Sequence, residues 1–533
     1  MVRLLLEQEN IDLNHTDGHE GTPLGWAAID GHEGLVKLLL EREDVDPNRP
    51  DASGLTPLLG AVIERQEGVV KLLLELEDPN RPNNDDQTPL ECAAIKRQEG
   101  VVKLLPEREN IDPNCPDKQG FGPLLWAAFS GHEGIVKLLL EREDVDPSLP
   151  NQDGDGPLSY AAIKGHEGVI KLLLESEDVD PNRRNKNGRT PLWCAALKGH
   201  EGVVKLLLAR EDIDPNCPDN DGYGPLSCAA IVGHEGVVKV LLERGDVDPN
   251  RRNTNGQTSL GCAALNGHER VVKLLLERED VDSNCPDKDG EEPLGWAAIK
   301  GHEGVVKLLL ERENADPNRR NKNDRTPLGC AALNGHEEVV KLLLALEDVD
   351  PNHPDKDGDG PLGCAAVKGH EGVVQLLLAR EDVDPNQRNK NDRTPLTSAA
   401  IMGHEGVVKL LLDREDVDPS CPDKDGDGPL SWSSMEGHEG VVKLLLGRED
   451  VDTNRSGENG QTPLGWAAVR GHGGVVKLLL ERDNLDPNRP DDNDRTPLGG
   501  AASVGHERVV KLLLERENVD PNRPDKYDRT PLA

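Results

Sequence analysis

Two stretches of the chain place acidic side chains at the spacing of a calcium loop. Asp355-Lys356-Asp357-Gly358-Asp359-Gly360, repeated from Asp423 to Gly428, matches the first half of D-x-D-x-D-G. The second half is missing: the twelfth position needs a bidentate Glu and holds Ala366 in one case and Ser434 in the other, and a Pro-Leu helix start interrupts the loop. A tight turn is the favoured reading. His-Glu pairs such as His166-Glu167 recur along the chain, but none has a second His one turn away, so they read as helix starts and not as a zinc-protease motif. Cys194, Cys228, Cys262, Cys330 and Cys364 share one helix position with Trp26, Trp126, Trp296, Trp432 and Trp466. A position filled by either Cys or Trp is a packing position, not a nucleophile or a ligand. Cys217, Cys285 and Cys421 lie 68 or more residues apart, which is no zinc spacing. The sequence has no P-loop, no G-x-G-x-x-G after a strand and no G-x-S-x-G. The expectation is a non-enzymatic chain without metal or cofactor.

The elements that carry these residues repeat. The Pro of a Pro-Leu pair falls at Pro23, Pro57, Pro89 and then every 34 residues to Pro225, and from Pro293 to Pro531 with the same step, Ser259 filling its place once. The one short step, Pro57 to Pro89, is 32 residues. Between residues 21 and 520 this gives fifteen units of the form T-P-L-G-[WC]-A-A-I-x-G-H-E-G-V-V-K-L-L-L-E-R-E-D-V-D-P-N. Such a period signals a solenoid.

One unit can be decoded locally. Thr190 suits a helix N-cap and Pro191 the first helical position, where its missing N–H costs nothing. The helix runs through WCAALK until Gly199, which takes the left-handed conformation without strain. His200-Glu201 open a second helix, with the acid at the positive end of its dipole, and Val203, Val204, Leu206, Leu207 and Leu208 supply its apolar face. Asp214-Pro215-Asn216 breaks that helix and begins a turn-rich finger. Two helices this short cannot bury those side chains alone, so each unit must stack on its neighbours.

The T-P-L, A-A and G-H positions and the V-V-x-L-L-L run together resemble ankyrin repeats over essentially the whole chain, with thirteen G-H pairs from His32 to His506. The resemblance implies an all-α solenoid of helix-turn-helix units with β-hairpin fingers, whose activity is protein binding. Two departures are systematic. The His of T-P-L-H is replaced by Gly25, Glu91, Ser159, Trp193 and Gly295 among others, and D-V-D-P-N replaces the family's shorter G-A-D-V-N. The expected organisation is a partial repeat over 1–20, the array over 21–520 with an irregular stretch near 60–110, and the start of a further repeat over 521–533. In the irregular stretch the finger has lost two residues, Arg65-Gln66 and Arg97-Gln98 replace Gly-His, and Pro106 interrupts a Leu run, so a weak joint is expected there. Ser433-Ser434, replacing Ala-Ala, is a second and milder defect.

In ankyrin-like units the two positions between A-A and G-H face the concave surface. The first of them is Ile29, Ile63, Ile95, Phe129, Ile163, Leu197, Ile231, Leu265, Ile299, Leu333, Val367, Ile401, Met435 and Val469, with Ser503 the exception. Either these form one apolar strip for a partner, or each packs sideways on the next unit and is mostly covered. Lys164, Lys198, Lys300 and Lys368 would rim the strip and favour a segment with acidic flanks. The fingers alternate as well. From about 182 to 450, basic texts carrying Arg183 and Arg184, Arg251 and Arg252, or Arg319 and Arg320 lie beside acidic ones carrying residues such as Asp219 and Asp221. These read either as opposite charges paired on a solvated ridge or as a striped recognition edge.

The net charge of −38, from 62 Lys plus Arg against 100 Asp plus Glu, repels polyanions, so neither nucleic acid nor an anionic membrane is an expected partner. Leu4, Leu5 and Leu6 are too short a run for a signal peptide, and ten cysteines spread over repeat positions fit the reduced thiols of a cytosol or nucleus. The expected partners are proteins or peptides, gripped by the groove and fingers of a scaffold. Two other readings stay open: the arm of a larger protein resembling NACHT-type signalling receptors, and a structural spacer. The sequence begins and stops inside repeat units without polar caps, from which a fragment of a longer protein, or end-to-end self-association, is expected.

Overall fold

The computed structural model describes residues 11–105 and 111–532. The run at Leu4 to Leu6, the interrupting Pro106 and the final Ala533 lie outside the described residues. The chain divides into two bodies, Met1–Thr254 and Asn255–Ala533. Among the described residues the first body holds fourteen helices in seven pairs, from Pro23–Ile29 with Glu33–Leu40 to Pro225–Val232 with Glu235–Leu242. The second holds sixteen in eight pairs, from Ser259–Asn266 with Glu269–Leu276 to Pro497–Val504 with Glu507–Leu514. Each body is an all-helical repeat stack in which first helices pack on first helices and second on second.

The local signals place the helix ends. Thr190 is extended, and its hydroxyl accepts a bond from the Trp193 amide at 3.2 Å. Where Gly122, Gly156 or Gly224 stands at the cap no side chain takes that role, and the fixed φ of the following Pro starts the helix instead. Gly199 closes the first helix at φ +77°. Arg65 and Arg97 are forced into the same left-handed region, at φ 62° and 57°, which costs each about 1 kcal/mol. Within a unit the Ala pair and one face of the second helix are fully covered: Ala195, Ala196, Val204 and Leu207 expose nothing.

The expected β-hairpin form of the fingers is not confirmed. Among the described residues there is no strand, and the reason lies in the Asx residue that opens the fingers, Gly457 being the exception. Asn151 Oδ1 accepts the amides of Asp153 at 2.9 Å and Asp155 at 3.0 Å, while the Asn151 amide donates to the Asp155 carbonyl at 2.9 Å. The finger is therefore a tight loop closed on one side chain. A single backbone bond, from the Lys186 amide to the Asp153 carbonyl at 2.9 Å, joins it to the next finger, too little for a ladder.

Neighbouring repeats are stapled by side chains that reach across one period. Asn182 donates from Nδ2 to the Asp212 carbonyl at 2.6 Å and accepts the Asp214 amide on Oδ1 at 2.9 Å. The same pair of bonds recurs at Asn114, Asn216, Asn318, Asn352 and Asn386. Arg210 forks onto Asp212 and sends Nη1 back to the Leu174 carbonyl at 2.9 Å, which satisfies an orphan carbonyl at the end of the preceding second helix.

Candidate binding surface

The residue after Ala-Ala lies in the last turn of the first helix, and its carbonyl has no helical partner. The His of the next repeat supplies it. His166 donates from Nε2 to the Phe129 carbonyl at 3.1 Å, and His200 to Ile163 at 2.9 Å. In the second body the same bond joins His336 to Ile299 at 2.8 Å and His506 to Val469 at 2.9 Å. The imidazole is thus not a helix cap for its own element. A carbonyl can only accept, so Nε2 carries the proton. Gln66 and Gln98, which replace His in the irregular stretch, keep the function: their amides donate to the Ile29 and Ile63 carbonyls at 3.2 and 3.4 Å.

Pinning the carbonyl fixes the side chain above it. Ile29, Phe129, Ile163, Leu197 and Ile231 in the first body, and Leu265, Ile299, Leu333, Val367, Ile401 and Val469 in the second, are all half-buried. Met435 is 8% exposed and counts with the core. The covering comes from the next repeat. A methyl group built on Gly60 would stand 2.8 Å from Ile29 Cγ1, and one on Gly500 would stand 2.7 Å from Val469 Cγ2. Ile163 and Leu197 lean on the cluster of Trp193, Cys194 and Cys228. Strip residues such as Ile29, Ile163 and Val469 thus spend one side on the neighbouring first helix and keep one edge in solvent.

The position after the strip is open. Lys164, Lys198, Lys300 and Lys368 are exposed. Three apolar residues occupy the same position, and the sequence reading passed them over: Val232, Met402 and Val504 are 44%, 52% and 55% exposed. The signal available for them was an apolar side chain where Lys and Asn dominate.

The finger arginines are tied into the array. Arg183 donates to the Ser148 carbonyl at 2.8 Å, and Arg184 to the Gly188 and Pro218 carbonyls at 2.9 Å. Arg319 meets Glu292 at 3.2 Å; Arg251 is half-buried, and Arg252 and Arg320 are exposed. Opposite charges do pair between adjacent fingers, Arg325 with Asp355 at 2.8 Å and Arg393 with Asp423 at 3.2 Å. Asp355, the first residue of the calcium-like run, spends Oδ1 on the amides of Asp357 and Asp359 at 2.9 and 3.1 Å, so its carboxylate serves the turn. Among the described residues no group of three or more His, Cys, Asp or Glu converges as a metal site. Burial pushes the thiols of Cys194, Cys262 and Cys364 up to about 12, and the ten cysteines are free.

A stack of paired short helices joined by tight fingers and stapled by His and Asn once per period defines a helical repeat protein. The family model for ankyrin repeats matches in thirteen overlapping segments, the first at 1–83 and the last at 430–525, and the chain belongs to the ankyrin-repeat family. Ankyrin repeats are generally protein–protein interaction modules and typically non-enzymatic. Among curated proteins no relative matches the chain. No helix among the described residues is long and apolar enough to cross a membrane.

Proposed function

We propose that this chain is a non-enzymatic scaffold that binds partner proteins on the face made by the C-terminal ends of its first helices. The observation that carries the reading recurs within each body: half-open Ile, Leu or Val edges at the strip position, and after them an open position that holds Lys164 and Lys198 or Lys300 and Lys368, with exposed apolar side chains at Val232 and Met402. Scattered exposed apolar residues are ordinary, but their recurrence at one structural position within a body is the arrangement expected of an interaction surface. The fingers contribute less, because most of their Arg side chains already serve neighbouring carbonyls and carboxylates. A reduced compartment, cytosol or nucleus, fits the free thiols.

The test is site-specific photocrosslinking with benzoylphenylalanine at Val232 or Met402, compared with the exposed second-helix positions Lys205 and Lys239. Discrete protein adducts at the first pair and not at the second are expected. Adducts confined to Lys205 and Lys239 would move the site to the other face, and none at any position would leave the array a spacer.

A further inference from the structure

One segment of the proposed binding face differs in kind from the rest. Of the 11 aromatic residues in the chain, both Phe and two others fall between residues 121 and 160. They form one cluster: Phe121 and Trp126 have ring centroids 4.8 Å apart, Trp126 and Phe129 5.6 Å, and Phe129 and Tyr160 5.6 Å. Phe121 is the buried floor, 8% exposed, while Trp126, Phe129 and Tyr160 each keep an open edge. Polar anchors hold the rings in place. The Trp126 indole donates to Asp117 Oδ2 at 3.2 Å, and the Tyr160 hydroxyl accepts from Asn151 Nδ2 at 3.0 Å. Phe129 occupies the strip position that is Ile, Leu, Val or Met in nearly every other repeat.

The surrounding charge is also unusual. The position beside the strip runs Lys96, Ser130, Lys164 and Lys198 over four consecutive repeats, the lysines exposed and Ser130 half-buried, with no acid among them in a chain of net charge −38. Lysines on the second helices, such as Lys205 and Lys341, pair with Glu201 and Glu338. Lys96, Lys164 and Lys198 have no carboxylate partner, and the Lys164 ammonium rests over the Phe129 ring, 4.3 Å from its centroid. A rigid aromatic group with one polar end is the composition of an interface hot spot; the carboxylates against its rings lie at the finger side, Asp117 already bonded to Trp126, and the Lys164 ammonium over Phe129 sets the charge on the strip side.

We infer that Trp126, Phe129 and Tyr160 are the anchor of the binding face, and that its occupant is a partner-protein segment with an apolar side chain flanked by carboxylates, which pair with Lys96, Lys164 and Lys198. This deepens the protein-binding reading and rests on it. The apolar side chain covers the open ring edges while a carboxylate draws on the Lys164 ammonium, whose attraction to the Phe129 face survives the pairing. The large negative field of the whole chain favours basic segments at a distance, so the local and global charges make opposite predictions.

The experiment is selection from a phage-displayed library of short random peptides on the full chain, followed by affinity measurements of the enriched peptides on Phe129→Ile and Lys164→Glu variants. Phe129→Ile installs the commonest strip residue, and Lys164→Glu changes an exposed side chain, so it carries the test if the first variant disturbs packing. The expected result is enrichment of Asp and Glu beside Leu, Ile, Phe or Trp, with binding about tenfold weaker in both variants. Basic consensus peptides, peptides that bind both variants as tightly as the parent, or no enrichment would each overturn the inference. Crosslinks at Val232 or Met402 alongside such a failure would leave the broader binding reading standing, whereas failure of both experiments would remove it.

Discussion

Glu77 shows how a single residue can set the behaviour of its repeat. Counted back from the Pro-Asn pair, it stands where other units place a buried Val such as Val45. Its carboxyl is 6% exposed and lies 3.1 and 3.2 Å from the Leu58 amide, and burial pushes it up to about 8. The neutral acid is the form the fold accepts. Its contribution is full below the unfolded carboxyl value near 4.5 and is lost as pH rises towards about 8. Hydrogen exchange of the helix Pro57–Ile63 should therefore speed up between pH 5 and pH 8 by more than the intrinsic exchange rate does. Glu77→Gln, which keeps an acceptor for the Leu58 amide, should abolish that excess; an unchanged excess would refute the assignment. Ser434 is a smaller case. Its hydroxyl is completely buried without a partner, whereas that of Ser433 donates to the Leu430 carbonyl at 3.2 Å. Ser434→Ala should stabilise its repeat by about 1 kcal/mol in urea unfolding, and Ser433→Ala should have the smaller effect.

At the level of elements, a His at a second-helix start, such as His200 or His336, works for the preceding repeat. His200→Ala leaves the Ile163 carbonyl without its donor and should cost about 1 kcal/mol in urea unfolding. His200→Gln should retain most of that, because Gln66 already makes the equivalent bond to Ile29. Equal losses in the two variants would show that the ring matters through packing and not through its N–H. The Asn staple follows the same logic. Asn216→Ala removes the donor to the Asp246 carbonyl and the acceptor for the Asp248 amide, and should cost more than Asn216→Ser. Ser420 keeps such bonds to Asp450 and Asp452 at 3.4 and 3.0 Å.

For the whole molecule, the net charge of −38 acts on every repeat at once. Self-repulsion destabilises the compact state and is screened with a Debye length of about 10 Å at 0.1 M salt. Raising sodium chloride at pH 8 should therefore raise the unfolding midpoint, although the finger ion pairs weaken slightly. A falling midpoint would show that those pairs outweigh the repulsion. The first region to open should be residues 60–105, where Arg65 and Arg97 hold positive φ and Glu77 occupies an apolar site. Hydrogen exchange resolved by peptide should find the fastest opening there; uniform protection across the array would count against it.

The sequence by itself determined the period, the pairing of helices and most helix ends, because those rest on local chemistry: Thr and Pro at the start, Gly in the left-handed position, apolar spacing in between. It also marked an apolar side chain in all units but one, and Lys164, Lys198, Lys300 and Lys368 beside it, as candidates for the surface. Tertiary structure alone decided what the recurring polar residues do. His200 and Ile163 are 37 residues apart, and Asn182 and Asp212 are 30 apart, so no local rule assigns those bonds. It also decided that the fingers close on their own Asx side chains and form no ladder, and that strip residues such as Ile163 are half-covered by the next repeat. Burial of a strip residue depends on which side chain its neighbour brings, Gly60 against Ile29 or Trp193 against Ile163, and that pairing exists only once the repeats are stacked.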